Sequence, residues 1–165
     1  METKITELES IDIRQRIESL GLIQPSGWAF LPTNLESCDA QHSLEHADSV
    51  LALRKLMAAE GVAESPVEPE GLRIPRRALR YIDWIGPTIF FSAAMISENP
   101  TVVSVCLNVF SNYVFELFRG RSTEVRAHVK IVLETKRGSP AKVLEYDGPV
   151  AGLKDLPKVI SSLHE

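Results

Sequence analysis

The stretch of the chain with the fewest charges lies between residues 84 and 118, where only Glu98 and Glu116 carry one. Apolar residues dominate it, but a polar break at residues 97–100 divides it in two. The first part is about 13 residues long, shorter than the roughly 20 that a membrane-spanning helix needs. The second part contains serines, asparagines and a glutamate. The pattern favours a buried core over a membrane span, and a membrane-active role for residues 85–118 is the alternative.

A central helix is predicted over about residues 100–119. Asn99 suits the N-cap, Pro100 suits the first helical position, and Gly120 suits the left-handed stop. Most large apolar residues of this segment fall on one side of the helix. The other side carries small polar residues, here called the polar seam: Ser104, Asn108, Ser111 and Asn112. The seam is a possible interface with another chain, or a face in contact with water.

Two more helices are predicted in the first 60 residues. The first lies within residues 5–20, where apolar residues form a stripe that stops at Gly21. The apolar run at residues 28–31 is typical of a short strand. Ser43 is the predicted cap of the second helix, which runs to about Glu60 and ends at Gly61.

The segment from 61 to 75, here called the connector, contains three prolines and three glutamates. This composition predicts a stiff, exposed link and the one possible boundary within a single domain spanning 1–165. A short helix is expected over residues 76–85. Residues 88–91 fit either a strand or the start of a buried helix, and periodicity does not decide between them.

The last third of the chain changes to a period of two. Alternating apolar and polar residues at 125–133, a turn, and a return at 142–146 predict an antiparallel hairpin. A final amphipathic helix is expected from an apolar stripe: Leu153, Leu156, Ile160 and Leu163. The predicted fold is therefore α+β. The hairpin (about 125–146) packs against the central helix (about 100–119) and the C-terminal helix, and the N-terminal helices form a second layer.

The composition is that of an ordinary globular protein, with 44% apolar and 24% charged residues in a chain of 165. Two cysteines, Cys38 and Cys106, give no disulfide framework, and the polar N-terminus does not read as a secretory signal. Together these features predict a cytoplasmic location.

Charge is unevenly distributed along the chain. The first 70 residues hold 13 acidic and 5 basic side chains, and the rest hold 9 and 13. Four arginines, here called the arginine cluster, follow the acidic connector: Arg73, Arg76, Arg77 and Arg80. Guanidinium groups bind carboxylates and phosphates, so the cluster is the best candidate for binding a partner or an anion. The alternative is local pairing with nearby glutamates or with the acidic N-terminal half.

No constellation of residues specifies a reaction. Cys38, His42 and His46 are four residues apart and are weak candidates for zinc ligands, because Cys38 precedes the predicted helix. Cys106 falls on the apolar side of the central helix, and the sequence has neither a nucleophile elbow nor a glycine-rich nucleotide loop. We expect no cofactor, and an enzymatic activity is uncertain and disfavoured. Nucleic acid is an unlikely partner because no aromatic residues interleave the basic positions.

These observations favour a non-catalytic interaction or regulatory module that acts in a protein complex or as a homo-oligomer. The alternative is a small anionic-ligand-binding protein or enzyme that uses the arginine cluster. A pocket that gathers these arginines with a buried histidine or carboxylate favours the alternative. A flat or convex arginine surface favours the interaction module.

Overall fold

The computed structural model describes residues 4–9, 13–77, 84–119, 125–134 and 141–158, with the backbone alone for 4–9. The helices are α1 (Ile13–Ser19), α2 (Val50–Ala59), α3 (Ala93–Glu98) and α4 (Pro100–Leu117). The strands are β1 (Lys4–Glu9), β2 (Trp28–Leu31), β3 (His46–Ala47), β4 (Arg76–Arg77), β5 (Trp84–Phe91), β6 (Arg126–Leu133) and β7 (Lys142–Pro149). Two 3-10 segments, Gln41–Ser43 and Val150–Asp155, complete the described elements. The predicted α+β class is confirmed.

A mixed five-stranded sheet has the order β1-β7-β6-β5-β2. β6 and β7 form the predicted antiparallel hairpin, in which Lys130 lies opposite Glu145. β5 and β6 are parallel neighbours, and the chain between them crosses over through α3 and α4, because parallel strands cannot be joined by a tight turn. β1 and β2 pair antiparallel with β7 and β5. The strand predicted at residues 28–31 is thus confirmed, and residues 88–91 belong to a strand.

One face of the sheet is covered by α2, α3, α4 and the second 3-10 segment, which contribute to a single buried cluster. The central helix is confirmed as α4, and its buried residues include Cys106, Phe110 and Val114. They belong to the same cluster as Val129 and Ile131 of β6. The apolar side of α4 therefore faces the interior. Among the described residues, no helix is both long enough and apolar enough to cross a membrane.

A second buried cluster covers part of the opposite face of the sheet. Ile13 and Ile17 of α1 pack there with Phe90 of β5 and Val132 of β6. The second cluster does not extend over Lys130 of β6 and Glu145 of β7. These two residues are half-exposed and line an open groove of about 460 Å³. The two faces of the sheet are thus covered unequally.

The N-terminal half departs from the predicted elements. The helix expected over residues 5–20 is wrong at its start, since 4–9 form an edge strand on β7 and the helix begins at Ile13. The helix expected from Ser43 begins at Val50 instead, because His46–Ala47 pair with Arg76–Arg77 as a short parallel bridge. The stops at Gly21 and Gly61 are confirmed, and both glycines adopt positive φ, near 71° and 78°.

The same bridge overturns the helix expected over residues 76–85. Arg76–Arg77 form β4, residues from Trp84 onward form β5, and the segment between lies outside the described residues. Asn99 precedes α4 as predicted, but its side chain makes no capping hydrogen bond. The expected C-terminal helix starts as a 3-10 segment at Val150–Asp155 and turns helical at 156–158. Ile160, Leu163 and the stop at Gly120 lie outside the described residues.

Candidate ligand groove

A groove of about 660 Å³ lies between α2 and the connector. Its lining combines arginines, a histidine and a glutamate with prolines and aliphatic residues: His46, Leu51, Arg54, Pro66, Glu68, Pro69, Leu72, Arg73, Ile74, Pro75 and Arg76. Proline fixes its own φ angle, so three prolines stiffen this wall. The bridge between β3 and β4, together with the bond from His46 N to Pro75 O (2.9 Å), joins the two walls.

The connector is anchored to the core, which the sequence did not indicate. Val67 is fully buried in the second cluster, and its carbonyl accepts a hydrogen bond from Ile23 N at 2.8 Å. Ser65 N donates to Trp28 O at 2.9 Å. The expectation of an exposed link therefore holds only in part. The segment has no helix or strand before Arg76, yet backbone hydrogen bonds and the buried Val62, Val67 and Ile74 hold it in place.

Arg54 of α2 connects two connector carboxylates at the floor of the groove. Its Nε lies 2.6 Å from Glu64 Oε1, and its Nη2 lies 2.8 Å from Glu68 Oε1. Glu64 also accepts the backbone N–H of Phe30 at 2.9 Å, which ties the network to β2. Burial acts to lower the pKa of Arg54, but the two carboxylates raise it above its ordinary value. Arg54 therefore stays charged, and its charge is paired with two carboxylates of the protein itself.

His46 extends this network, because its Nε2 lies 2.6 Å from Glu68 Oε1. Burial acts to raise the pKa of Glu68, but hydrogen bonds from His46 and Arg54 and the charge of Arg54 lower it to about 2. An ionised carboxylate only accepts hydrogen bonds, so we assign the shared proton to Nε2 of His46. His46 Nδ1 is buried and has no partner among the described residues. The imidazole ring of His46 is thus oriented by the hydrogen bond between its Nε2 and the carboxylate of Glu68.

Two members of the arginine cluster border the groove. The side chains of Arg73 and Arg76 are exposed, and neither has a hydrogen bond or ion pair with any residue in the described ranges. Arg77 differs, because it reaches Glu45 at 3.1 Å, and Arg80 lies outside the described residues. Of the three connector glutamates expected as local partners of the cluster, Glu64 and Glu68 are bound by Arg54 instead, and Glu70 has no partner among the described residues. The groove therefore has one arginine shared by two carboxylates at its floor, and two cations on its rim that no described residue pairs.

No family model matches this chain, and no match to it was found among curated proteins or solved structures.

The polar seam of α4 is divided by the structure. Asn108 and Asn112 are exposed, and Ser104 is half-buried. Ser111 is buried, and its hydroxyl lies 2.8 Å from Leu107 O and 3.0 Å from Leu153 O, so it links α4 to the second 3-10 segment. The seam is therefore not one surface, and its two asparagines are the members that face solvent.

The three weak metal candidates are placed in different surroundings. Cys38 is buried, with its sulfur 2.9 Å from Ala40 O, whereas His42 is exposed and His46 is bound to Glu68. Within the described ranges, no three His, Cys, Asp or Glu residues are arranged to hold a metal ion. Their spacing of four residues does not place them on one helical face, because residues 38–46 do not form one helix.

The network at the floor was missed by sequence reasoning. Glu64 and Glu68 were considered as partners for the arginine cluster, but Arg54 was not singled out. One signal was available. Arg54 follows the buried Leu53, and both stand in a helix whose other residues are mostly apolar. An arginine beside the buried face of a short helix requires a carboxylate partner when it is half-buried.

Proposed function

We propose that this protein binds a small anionic ligand, bearing a phosphate or a carboxylate, in the groove between α2 and the connector. The observation that supports the proposal is a pair of guanidinium groups, Arg73 and Arg76, which have no partner among the described residues and lie on the rim of a groove with the buried His46 bound to Glu68 at its floor. This is the arrangement that favours a ligand site over a convex interaction surface.

The charge of the lining selects for anions. Arg54 is shared by Glu64 and Glu68, which leaves one negative charge at the floor, whereas Arg73 and Arg76 place two positive charges on the rim that have no partner among the described residues. Guanidinium groups donate to carboxylate or phosphate oxygens in bidentate geometry. Both side chains are exposed, so they adjust to the ligand and lose side-chain entropy on binding.

The walls indicate what accompanies the anionic group. Leu51 is 43% exposed, and it lines the groove with the half-buried Leu72 and with Pro66 and Pro69. A ligand that carries an apolar or planar body next to its charged group covers these side chains. A free inorganic ion leaves them in water and gains only the charge interactions, so we expect it to bind more weakly.

The test is isothermal titration calorimetry with pyrophosphate and citrate at low ionic strength. We expect saturable binding, and a loss of about 10-fold or more in affinity for Arg73→Gln and for Arg76→Gln, because a hydrogen bond to a charged group contributes roughly 1.5–3 kcal/mol. Arg77→Gln is the matched control, since Arg77 is adjacent in sequence but pairs with Glu45. Absence of saturable binding, or an equal loss in the control, refutes the proposal.

A second candidate function is an interaction or regulatory module in a complex or homo-oligomer. The observation that favours it is a solvent-facing strip of α4, in which Asn108, Asn112 and the 44% exposed Phe115 recur at helical spacing. Light scattering tests self-association, and pull-down tests a partner. Asn108→Lys with Phe115→Ser weakens either association if α4 is the interface. Arg76→Glu with Arg80→Glu weakens the association if the arginine cluster is the interface.

Either function suits a reducing compartment such as the cytoplasm. Cys38 and Cys106 are both free and buried, and they belong to different buried clusters. A disulfide between them requires the protein to unfold, so the thiols must stay reduced for the fold to persist.

A further inference from the structure

A second pocket, of about 260 Å³, opens beside the start of α2 and the end of α4. It is lined by Asp48, Ser49, Trp84, Tyr113, Leu117 and Phe118, together with Ile85. None of its described lining residues also lines the ligand groove. Pockets for drug-sized ligands span roughly 300–1,000 Å³, so this one suits a small group.

Three aromatic side chains form its walls. Trp84, Tyr113 and Phe118 each pack against the first buried cluster but are only partly buried, so each keeps some surface in the pocket. The rings of Trp84 and Phe118 are 6.2 Å apart and nearly perpendicular, at 78°. The Trp84 ring also lies close to Gly86, where an added Cβ would come within 2.6 Å of it. The rings of Trp84 and Phe118 are therefore in contact with each other without a ligand.

The polar groups of the pocket are acidic or neutral. Asp48 is exposed and has no hydrogen bond or ion pair within the described part of the chain. Its charge lies close enough to Tyr113 to contribute, after burial, to a raised pKa of that phenol. Ser49 is buried, and its hydroxyl has no partner among the described residues. Among the described residues, the lining holds no cation that could neutralise Asp48.

We propose that this pocket binds a free small quaternary ammonium compound, with the cation against the rings of Trp84, Tyr113 and Phe118 and beside the carboxylate of Asp48. Aromatic faces attract cations through their quadrupole, and Trp attracts them most strongly. Small metal ions need several oxygen ligands, and one carboxylate does not supply them. A quaternary ammonium has no N–H groups to satisfy, so it needs only ring faces and a negative charge.

The test uses choline chloride as the probe and 3,3-dimethylbutan-1-ol as its neutral isostere. Binding is followed by the fluorescence of Trp84 in a Trp28→Phe background and by calorimetry on the unmodified chain. We expect saturable binding of choline and at least a tenfold weaker response to the isostere. Phe118→Leu weakens choline binding by roughly 3- to 30-fold, the range that corresponds to a cation–π contact. Asp48→Asn also weakens it, because the negative charge beside the cation is lost.

Matched controls are available at exposed positions elsewhere. Asp39→Asn removes an exposed carboxylate outside the pocket, and Phe115→Leu removes an exposed ring of α4 outside it. Neither changes choline affinity if the proposal holds. If Phe118→Leu unfolds, the comparison of Asp48→Asn with Asp39→Asn decides. Equal binding of the isostere, no saturation below about 10 mM, or a trimethyllysine peptide that binds when choline does not, overturns the proposal.

Discussion

Glu68→Gln tests the ion network at the floor of the ligand groove. The side chain of Glu68 is 12% exposed, and its pKa is lowered from 4.5 to about 2. A pKa that is lower in the folded state stabilises the fold above the unfolded pKa, and this stabilisation is lost as pH falls towards the folded pKa. The lowered pKa corresponds to roughly 3 kcal/mol of stability at pH 7, of which about 2 kcal/mol is lost by pH 3.

The assay is urea denaturation followed by circular dichroism, at a series of pH values from 7 to 3. The quantity to compare is the difference in unfolding free energy between the natural chain and Glu68→Gln. Glutamine does not titrate, and acidic groups outside the network of His46, Arg54, Glu64 and Glu68 contribute equally to both chains and cancel. We expect this difference to be largest at pH 7 and to shrink by about 2 kcal/mol by pH 3.

Glu70→Gln is the matched control, since Glu70 is an exposed connector glutamate with no partner among the described residues. Its difference from the natural chain should stay nearly constant with pH. If Glu68→Gln also gives a constant difference, then Glu68 has an ordinary pKa in the folded protein and the network does not hold it ionised. That result would refute the argument for a fixed groove floor.

Three further outcomes are expected. Gly86→Ala destabilises the protein by about 1–3 kcal/mol and shifts the emission of Trp84, because the added Cβ would meet the indole at 2.6 Å; denaturation and fluorescence measure both effects. Ser111→Ala lowers the free energy of unfolding by about 1 kcal/mol through loss of the hydroxyl contact to Leu153 O, as denaturation will show. Burial raises the pKa of Cys106 to about 12, so its thiol should resist iodoacetamide at pH 8 until the protein unfolds, as mass spectrometry of the labelled chain can establish.

The elements that could be predicted from the sequence are those with local causes. The hairpin of β6 and β7 has a two-residue period, and α4 has a proline at its start and an apolar stripe that fits a helix. In each case, the residues that determine the element are within it or next to it. Gly21 and Gly61 end their helices for the same reason, since positive φ is a property of one residue.

The elements that were missed depend on distant partners. Residues 4–9 contain two apolar residues that extend the stripe of α1, yet they pair with β7, some 140 positions away. Arg76–Arg77 pair with His46–Ala47 across the whole of α2 and the connector. Backbone hydrogen bonds to a distant strand leave no periodic trace in so short a segment, and tertiary pairing outweighs local propensity there.

The charge of the candidate site could be predicted from the sequence, but the shape of the groove could not. The arginine cluster was recognised because guanidinium groups have few alternative roles when they are crowded together. Its division into Arg73 and Arg76 at the groove and Arg77 on Glu45 depends on where the bridge to β3 places each residue. The pocket beside Trp84 could not be foreseen, since Asp48 and Phe118 are 70 positions apart and neither belongs to a motif.

Arg54 and Arg73 both carry a guanidinium group. The effect of removing it differs between them, because their surroundings differ. Arg54→Met leaves Glu64 and Glu68 without their cation in a half-buried site, which should cost about 3–5 kcal/mol of stability. Arg73→Gln removes an exposed charge without a described partner, so stability should change by about 0.5 kcal/mol or less while pyrophosphate affinity falls. Thermal denaturation and calorimetry on both variants separate the two effects. If Arg73→Gln destabilises the protein as much as Arg54→Met does, the charge of Arg73 is already paired within the fold. Only one of the two arginines at the groove rim would then be available to bind an anion.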